Sequence, residues 1–185
     1  ASASRPLAMF TFALNYFFHR YQTTGYHLGN ITIHLITTFL IFLVTAQTLR
    51  LCRISSPLTP FFTSLLWLAH PLHIQSVTYI VQRMTSLATM FYLLALFCFI
   101  KGRIRLCEQK KWFGGTYLCF LTSAVSGLMA LLCKPIAGTL PLTIFFYEWY
   151  FFHNLELDWI KRRSRWVILS VLLFITIAAT YLWLI

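Results

Sequence analysis

The sequence predicts an all-α fold, a polytopic transmembrane helix bundle of about six spans with an N-terminal interfacial helix beside it. Three observations predict this. The chain is 59% hydrophobic and 18% aromatic, with only 10% charged residues, whereas a soluble domain carries about 25% charged residues. Apolar runs long enough to cross roughly 30 Å of hydrocarbon, about 20 residues each, follow one another along the chain. Eleven of the 15 Lys and Arg residues fall in three clusters that separate those runs: Arg50 and Arg53; Lys101, Arg103, Arg105, Lys110 and Lys111; and Lys161, Arg162, Arg163 and Arg165. Cations at the cytoplasmic ends of spans are the positive-inside pattern. The net charge of +11 therefore does not indicate nucleic acid as a partner. A nucleic-acid reader presents its basic groove on a soluble module, and here the charges occupy the joints between spans.

Each element follows in order. Pro6–Phe18 is too short to span. Its Thr11, Asn15 and His19 recur at i, i+4 and i+8 and leave aromatics on the opposite face, which predicts a helix in the interface or against the bundle. Tyr26–Leu49 is the first span. Pro57–Ala69 is apolar but short; it spans only if it starts near Ile54, with Pro57 and Pro60 in its first turns, where a missing N–H costs little. Met84–Ile100, Trp112–Cys133, Ile136–Phe152 and Trp166–Ile185 complete six. Residues 1–25 are then an outer-side segment and 26–185 the helical bundle, together one transmembrane domain. Ala1–Ser4 has no basic character and no cleavage site follows, so no signal peptide is expected. The five cysteines, Cys52, Cys98, Cys107, Cys119 and Cys133, are widely spaced without a Cys-x-x-Cys pair. They predict neither a disulfide framework nor zinc.

Placing the basic clusters inside makes the spans alternate consistently and leaves four cations outside: Arg5, Arg20, Arg83 and Lys134. Polar stripes mark two spans, one of His27, Asn30, His34 and Thr37, the other of Gln75, Thr78, Gln82, Thr85 and Thr89 along a helix beginning after His73. Such faces turn toward the bundle or a wet cavity. The densest polar stretch, His70 to Arg83, joins a short span to a long one. An unpaired Arg83 at membrane depth costs at least a few kcal/mol, yet the four acids, Glu108, Glu148, Glu156 and Asp158, all fall near the inner side. Either helix C-terminal carbonyls satisfy the outer cations or an anion does: a lipid phosphate, the diphosphate of a lipid-linked substrate, or a carboxylate from elsewhere. His70 and His73 share i, i+3 spacing, but Pro71 breaks the helix between them and no third ligand accompanies them, so no metal site is predicted. A Ser–His–acid triad lacks its acid.

Several segments then occur in a recognisable order: Arg5-Pro6-Leu7; Gly25-Tyr26-His27-Leu28-Gly29-Asn30 leading to His34; His70-Pro71-Leu72-His73 through Val81-Gln82-Arg83; and Lys134-Pro135 leading to Leu140-Pro141 and Glu148-Trp149. Together they resemble the membrane half of the tetratricopeptide-repeat-containing O-mannosyltransferases of the GT-C glycosyltransferase superfamily, over nearly the whole chain. The resemblance implies transfer of a sugar from a polyprenyl-phosphate donor on the outer side of the membrane. Arg83 and Lys134 would contact the phosphate, and Arg5, His70, His73 and Gln82 would line the site. That superfamily places an acid in its first outer loop as base or metal ligand. No outer acid is present here, so the catalytic residue is unknown, and this piece is expected to be inactive alone. No cofactor is evident, although a divalent metal is compatible with the family. The implied partners are membrane lipids, the lipid-linked sugar donor and further protein subunits. The expected location is a bacterial cytoplasmic membrane with the basic loops in the cytoplasm. A non-catalytic membrane scaffold in a larger complex is the alternative.

Overall fold

The computed structural model describes residues 5–109 and 114–158. Trp166–Ile185, the third basic cluster, and Lys110 and Lys111 lie outside the described residues. The chain divides into two units, one of Arg5–Ala137 and one that includes residues from Gly138 onward. Among the described residues all regular structure is helical.

In the larger unit, α1 (Pro6–His19) opens on a proline at the first helical position, where the missing N–H would have had no partner anyway. The first span is α2 (Thr23–Leu51), whose 29 residues reach roughly 44 Å at 1.5 Å per residue. After it comes α3 (Leu58–Ala69), which has only 12 residues, roughly 18 Å. The expected start near Ile54 is not observed. A residue before proline is sterically biased away from the helical region, so Ser56 stays outside, and Pro57 becomes the N-cap. Helix α3 is thus too short to cross a membrane. Among the described residues, three helical stretches are long and apolar enough to do so, Thr23–Leu51, Ile80–Glu108 and Gly114–Cys133, and they make the chain an integral membrane protein.

A second departure concerns the stripe from Gln75 to Thr89. It does not lie on one helix. Helix α4 (Ile74–Thr78) stops at Tyr79, which is extended at φ −85° and ψ 114°, and a 3-10 turn over Ile80–Gln82 leads into α5 (Arg83–Gln109). The Asn30 side-chain amide donates to the carbonyls of Val77 and Tyr79, at 3.4 and 3.3 Å. With these acceptors satisfied from α2, the backbone is free to leave the helix.

Helix α6 (Gly114–Cys133) packs along α5. Its buried face is built of small residues, Thr116, Ser123, Ser126, Gly127, Ala130 and Cys133, and α5 meets it with the buried Ala88 and Ala95. The Ser123 hydroxyl donates to the Ala95 carbonyl at 2.8 Å. Lipid is as apolar as leucine, so close backbone approach and interhelical hydrogen bonds, rather than burial from water, hold such helices together.

Helix directions follow from the contacts at their ends. Arg83 meets Tyr26 and Asn30 at one end of α2, and Arg50 meets Glu108 at 3.4 Å at the other, so α2 and α5 are parallel. Helix α6 is antiparallel to them. Arg105 Nη1 donates to the Gly115 carbonyl at one end, and Lys134 reaches Thr85 at the other. Helix α3 runs back along α2, with Pro60 near Phe42 and Ala46 and Leu68 near His34. Arg50, Arg53 and Arg105 therefore gather at one end of this unit and Arg5, Arg83 and Lys134 at the other.

The second unit holds α7 (Leu140–Tyr147) and a π-helical turn over Glu148–Phe152, preceded by a 3-10 turn at Pro135–Thr139 that straddles the boundary. The expected span Ile136–Phe152 is thus helical but segmented. His153 Nε2 lies 3.2 Å from Glu148 Oε1 across the π turn.

The α5–α6 contact supplies a direct test. A Cβ at Gly102 would lie 3.2 Å from Cys119 Cβ and 3.3 Å from Phe120 Cζ, while one at Gly114 meets nothing within 4 Å. Gly102→Leu should therefore cost about 1–3 kcal/mol by overpacking and lower the thermal midpoint in detergent, with Gly114→Leu close to wild type.

Candidate functional site

The site is built around the first turn of α5. Arg83 is only 1% exposed, and no carboxylate is near it: the only acid among residues 5–137 is Glu108, at the far end of the same helix. Neutral acceptors from α1 and α2 take its place. Nε donates to Asn30 Oδ1 at 2.8 Å and Nη2 to the Tyr26 carbonyl at 2.8 Å. Nη1 donates to Asn15 Oδ1 and, at 3.4 Å, to the Thr11 carbonyl. The Phe12 and Tyr26 rings flank the guanidinium at 5.0 and 5.6 Å. Gly29 leaves room for it, since a Cβ there would sit 3.1 Å from Nη2. Asn15 in turn donates to the Gly25 carbonyl at 3.1 Å. Both amides thus spend their oxygen on Arg83 and their nitrogen on backbone. The expected partners, helix C-terminal carbonyls or an external anion, are not the ones found: side-chain amide oxygens and carbonyls within α1 and at the start of α2 satisfy Arg83 in this structure. A direct phosphate contact would have to displace them.

The neighbouring residues are different. Arg5 Nη1 lies 3.2 Å from Met84 Sδ, a weak acceptor. Lys134 Nζ donates to Thr85 Oγ1 at 2.9 Å, and that hydroxyl donates to Gln82 Oε1 at 3.1 Å. All of these side chains are half-buried. Two cations and an amide therefore surround the start of a 27-residue helix, whose dipole adds positive potential at its N-terminus. The arrangement can hold an anion.

His70 and His73 belong to a separate cluster. The His73 ring packs on Trp67 at 4.2 Å, on His34 at 5.7 Å and on His70 at 6.0 Å, and His34 stacks on Trp67 at 4.7 Å. The His34 Nε2–H donates to the Leu68 carbonyl at 3.2 Å, and the exposed His70 accepts from the Leu72 amide at 3.3 Å. His27 anchors the next stretch through Nδ1 and the Val77 carbonyl at 3.3 Å. Among the described residues, no group of three His, Cys, Asp or Glu is placed to hold a metal ion. The structure thus brings together Arg5, Gln82, Arg83 and Lys134 and sets His70 and His73, which form the α3–α4 connection, in an aromatic cluster with Trp67 and His34. Sequence reasoning did not assign Asn15 or Asn30 to Arg83, although both stand on the polar stripes of their helices.

Long apolar helices with cations partitioned between their two ends define a multi-span membrane protein whose polar site lies at the end away from the basic joints. Comparison with known proteins gives the class. The chain resembles the protein O-mannosyl-transferases of the GT-C glycosyltransferase superfamily over most of its length. It is 29% identical over 176 residues to protein O-mannosyl-transferase TMTC2 of Homo sapiens, an alignment covering 92% of this chain and 20% of that protein. It is 31% identical over 172 residues to protein O-mannosyl-transferase Tmtc3 of Drosophila melanogaster, covering 82% of this chain and 18% of that protein. The chain therefore spans about a fifth of the length of these relatives. No family model matches, and no solved structure matches. These relatives are animal proteins, which gives a bacterial membrane no support.

Two predictions separate structural from binding roles here. Arg83→Met orphans the buried Asn30 oxygen and the half-buried Asn15 oxygen and should lower stability by about 3 kcal/mol or more, visible as a large drop in thermal midpoint. Lys134→Met, at a half-buried single contact, should shift it little. Second, burial holds the His73 imidazole below its ordinary range, with His34 and His70 adding to the effect. The unfolded chain then takes up the proton first. The stability tied to His73 is complete above about pH 6.5 and is lost as pH falls through and below that value. The thermal midpoint should decline between pH 7 and pH 5, and His73→Phe should flatten that decline.

Proposed function

We propose that the larger unit binds the phosphate of a polyprenyl-phosphate sugar donor at its non-basic end, as part of a GT-C protein O-mannosyltransferase acting on the outer side of the membrane. Lys134 and Arg5 are the phosphate contacts, with Gln82 linked to Lys134 through Thr85. Arg83 is a positioning residue that fixes α1, α2 and the start of α5 around the site. His70 and His73 line the approach. The relatives' names supply mannose as the transferred sugar. The observation that carries this reading is the pair of half-buried cations whose neighbours are a thioether, a hydroxyl and an amide, at an end of the unit that holds no carboxylate. Ammonium and guanidinium groups with uncharged neighbours retain their attraction for a phosphate.

General-base chemistry needs a proton acceptor within hydrogen-bond reach of the acceptor hydroxyl. This end of the unit offers no carboxylate, so the unit supplies no carboxylate base of its own, and the base comes from outside it. The same absence favours the second reading, a non-catalytic membrane scaffold.

Binding of polyprenyl-phosphate mannose to the purified chain distinguishes the two. Lys134→Met and Arg5→Met should each weaken binding about tenfold, the loss of roughly one charge-assisted contact, with the thermal midpoint preserved. Unchanged affinity in both variants would overturn the phosphate assignment, and no measurable binding by the wild-type chain would favour the scaffold.

A further inference from the structure

At the opposite end of the same unit, the connection between α2 and α3 borders an open cleft of about 610 Å³. Its floor is apolar, formed by Phe42, Ala46 and Leu49 from α2 and by Ile54 and Pro60 across from them. Its rim is cationic and polar, with Arg50, Arg53, Ser55 and Ser56. The turn that builds the rim is well defined. The Arg53 amide donates to the Arg50 carbonyl at 3.1 Å, the Ile54 amide donates to the Leu49 carbonyl at 2.9 Å, and Arg53 itself is left-handed at φ 57°. Arg50 also meets Glu108, but at 3.4 Å with both side chains more than half exposed. Such a pair contributes little and is easily exchanged for another anion. The first turn of α3 adds to the rim, because its N-cap is Pro57, without a side-chain cap. The amides of Leu58 and Thr59 therefore have no capping side chain at the positive end of the helix.

We propose that this cleft binds one anionic phospholipid from the leaflet at the basic end of the bundle, with its phosphate on Arg53 and Arg50 and an acyl chain along Phe42 and Ala46. A free phosphate satisfies the rim but leaves the apolar floor empty. A zwitterionic lipid fills the floor but brings its own cation against two guanidiniums. An anionic phospholipid matches both, and basic pockets between spans at a membrane surface are the recurring setting for such headgroups. The cavity volume falls within the range of about 300–1,000 Å³ common to small-molecule sites. Arg50 and Arg53 thereby gain a ligand-binding role in addition to orienting the spans.

Native mass spectrometry of the purified chain in detergent tests this, with phosphatidylglycerol, phosphatidylcholine and inorganic phosphate as separate probes. The wild type should retain one phosphatidylglycerol with about tenfold preference over phosphatidylcholine, the equivalent of one charge-assisted contact. Arg53→Gln, at an exposed position, should abolish that preference. Ala46→Trp keeps every charge but fills the floor, and should lose the bound lipid; unchanged circular dichroism verifies that both variants are folded. Retention of the preference in Arg53→Gln, retention of the lipid in Ala46→Trp, or equal binding of phosphatidylcholine by the wild type would overturn the proposal. Displacement of the lipid by inorganic phosphate at comparable concentration would also overturn it, by showing a site for free anions.

Discussion

The fold depends on a buried guanidinium without a counterion. A cation placed inside an apolar bundle must be either paired or thoroughly hydrogen-bonded, and no acid lies at this end of the unit. Arg83 instead draws in the side-chain oxygens of Asn15 and Asn30 and the carbonyls of Thr11 and Tyr26. Three helices are thereby joined at one point: α1 through Thr11 and Asn15, α2 through Tyr26 and Asn30, and α5 through Arg83 itself. Asn30 extends the linkage further, because the amide that accepts from Arg83 also donates to Val77 and Tyr79. The break in the chain before α5 and the burial of Arg83 are thus coupled through one side chain.

That coupling explains why irregular backbone is tolerated beside the long helices. Non-helical segments at membrane depth survive only where protein or water satisfies their polar groups. Between His70 and Gln82 the partners are side chains: His27 and Asn30 from α2, and His70 on the Leu72 amide. The remainder of the unit is held differently, by the small-residue seam of α5 and α6, with Ser123 bonded to the Ala95 carbonyl. One half of the unit is therefore organised by hydrogen bonds to α2 and the other by close van der Waals contact. The functional reading separates the cations in the same way. Arg83 is consumed by the fold, while Lys134 and Arg5 remain half-buried beside weak, uncharged acceptors and keep their capacity for an anion.

Much of this was legible in the chain itself. The gathering of Arg50, Arg53 and Arg105 at one end, the apolar lengths of α2, α5 and α6 and the polar stripe on α2 correspond to features of the structure. Two helix readings failed, one for a local reason and one for a distant one. Helix α3 begins late because Ser56 precedes a proline, and the stripe from Gln75 to Thr89 does not lie on a continuous helix because Asn30, 49 residues from Tyr79 in sequence, satisfies carbonyls that the helix would otherwise use. No periodicity in residues 74–89 reports that distant partner. The His70-Pro71-Leu72-His73 motif was visible as polar, but its packing on Trp67 and His34 depends on α3 returning along α2.

The sequence by itself determined the membrane character of the chain, because composition and apolar run length act through transfer from water to lipid, which needs no tertiary contact. It also determined the shortage of acids around Arg83, since only Glu108 lies within residues 5–137. What only the tertiary structure decided were the partners of Arg5, Arg83 and Lys134. Hydrogen bonds reach a few ångströms in space across tens of residues in sequence, so the choice between the chain's own carbonyls and an external phosphate rested on how α1, α2 and α5 pack. That packing left Arg83 inside the fold and Lys134 and Arg5 half-buried beside uncharged neighbours.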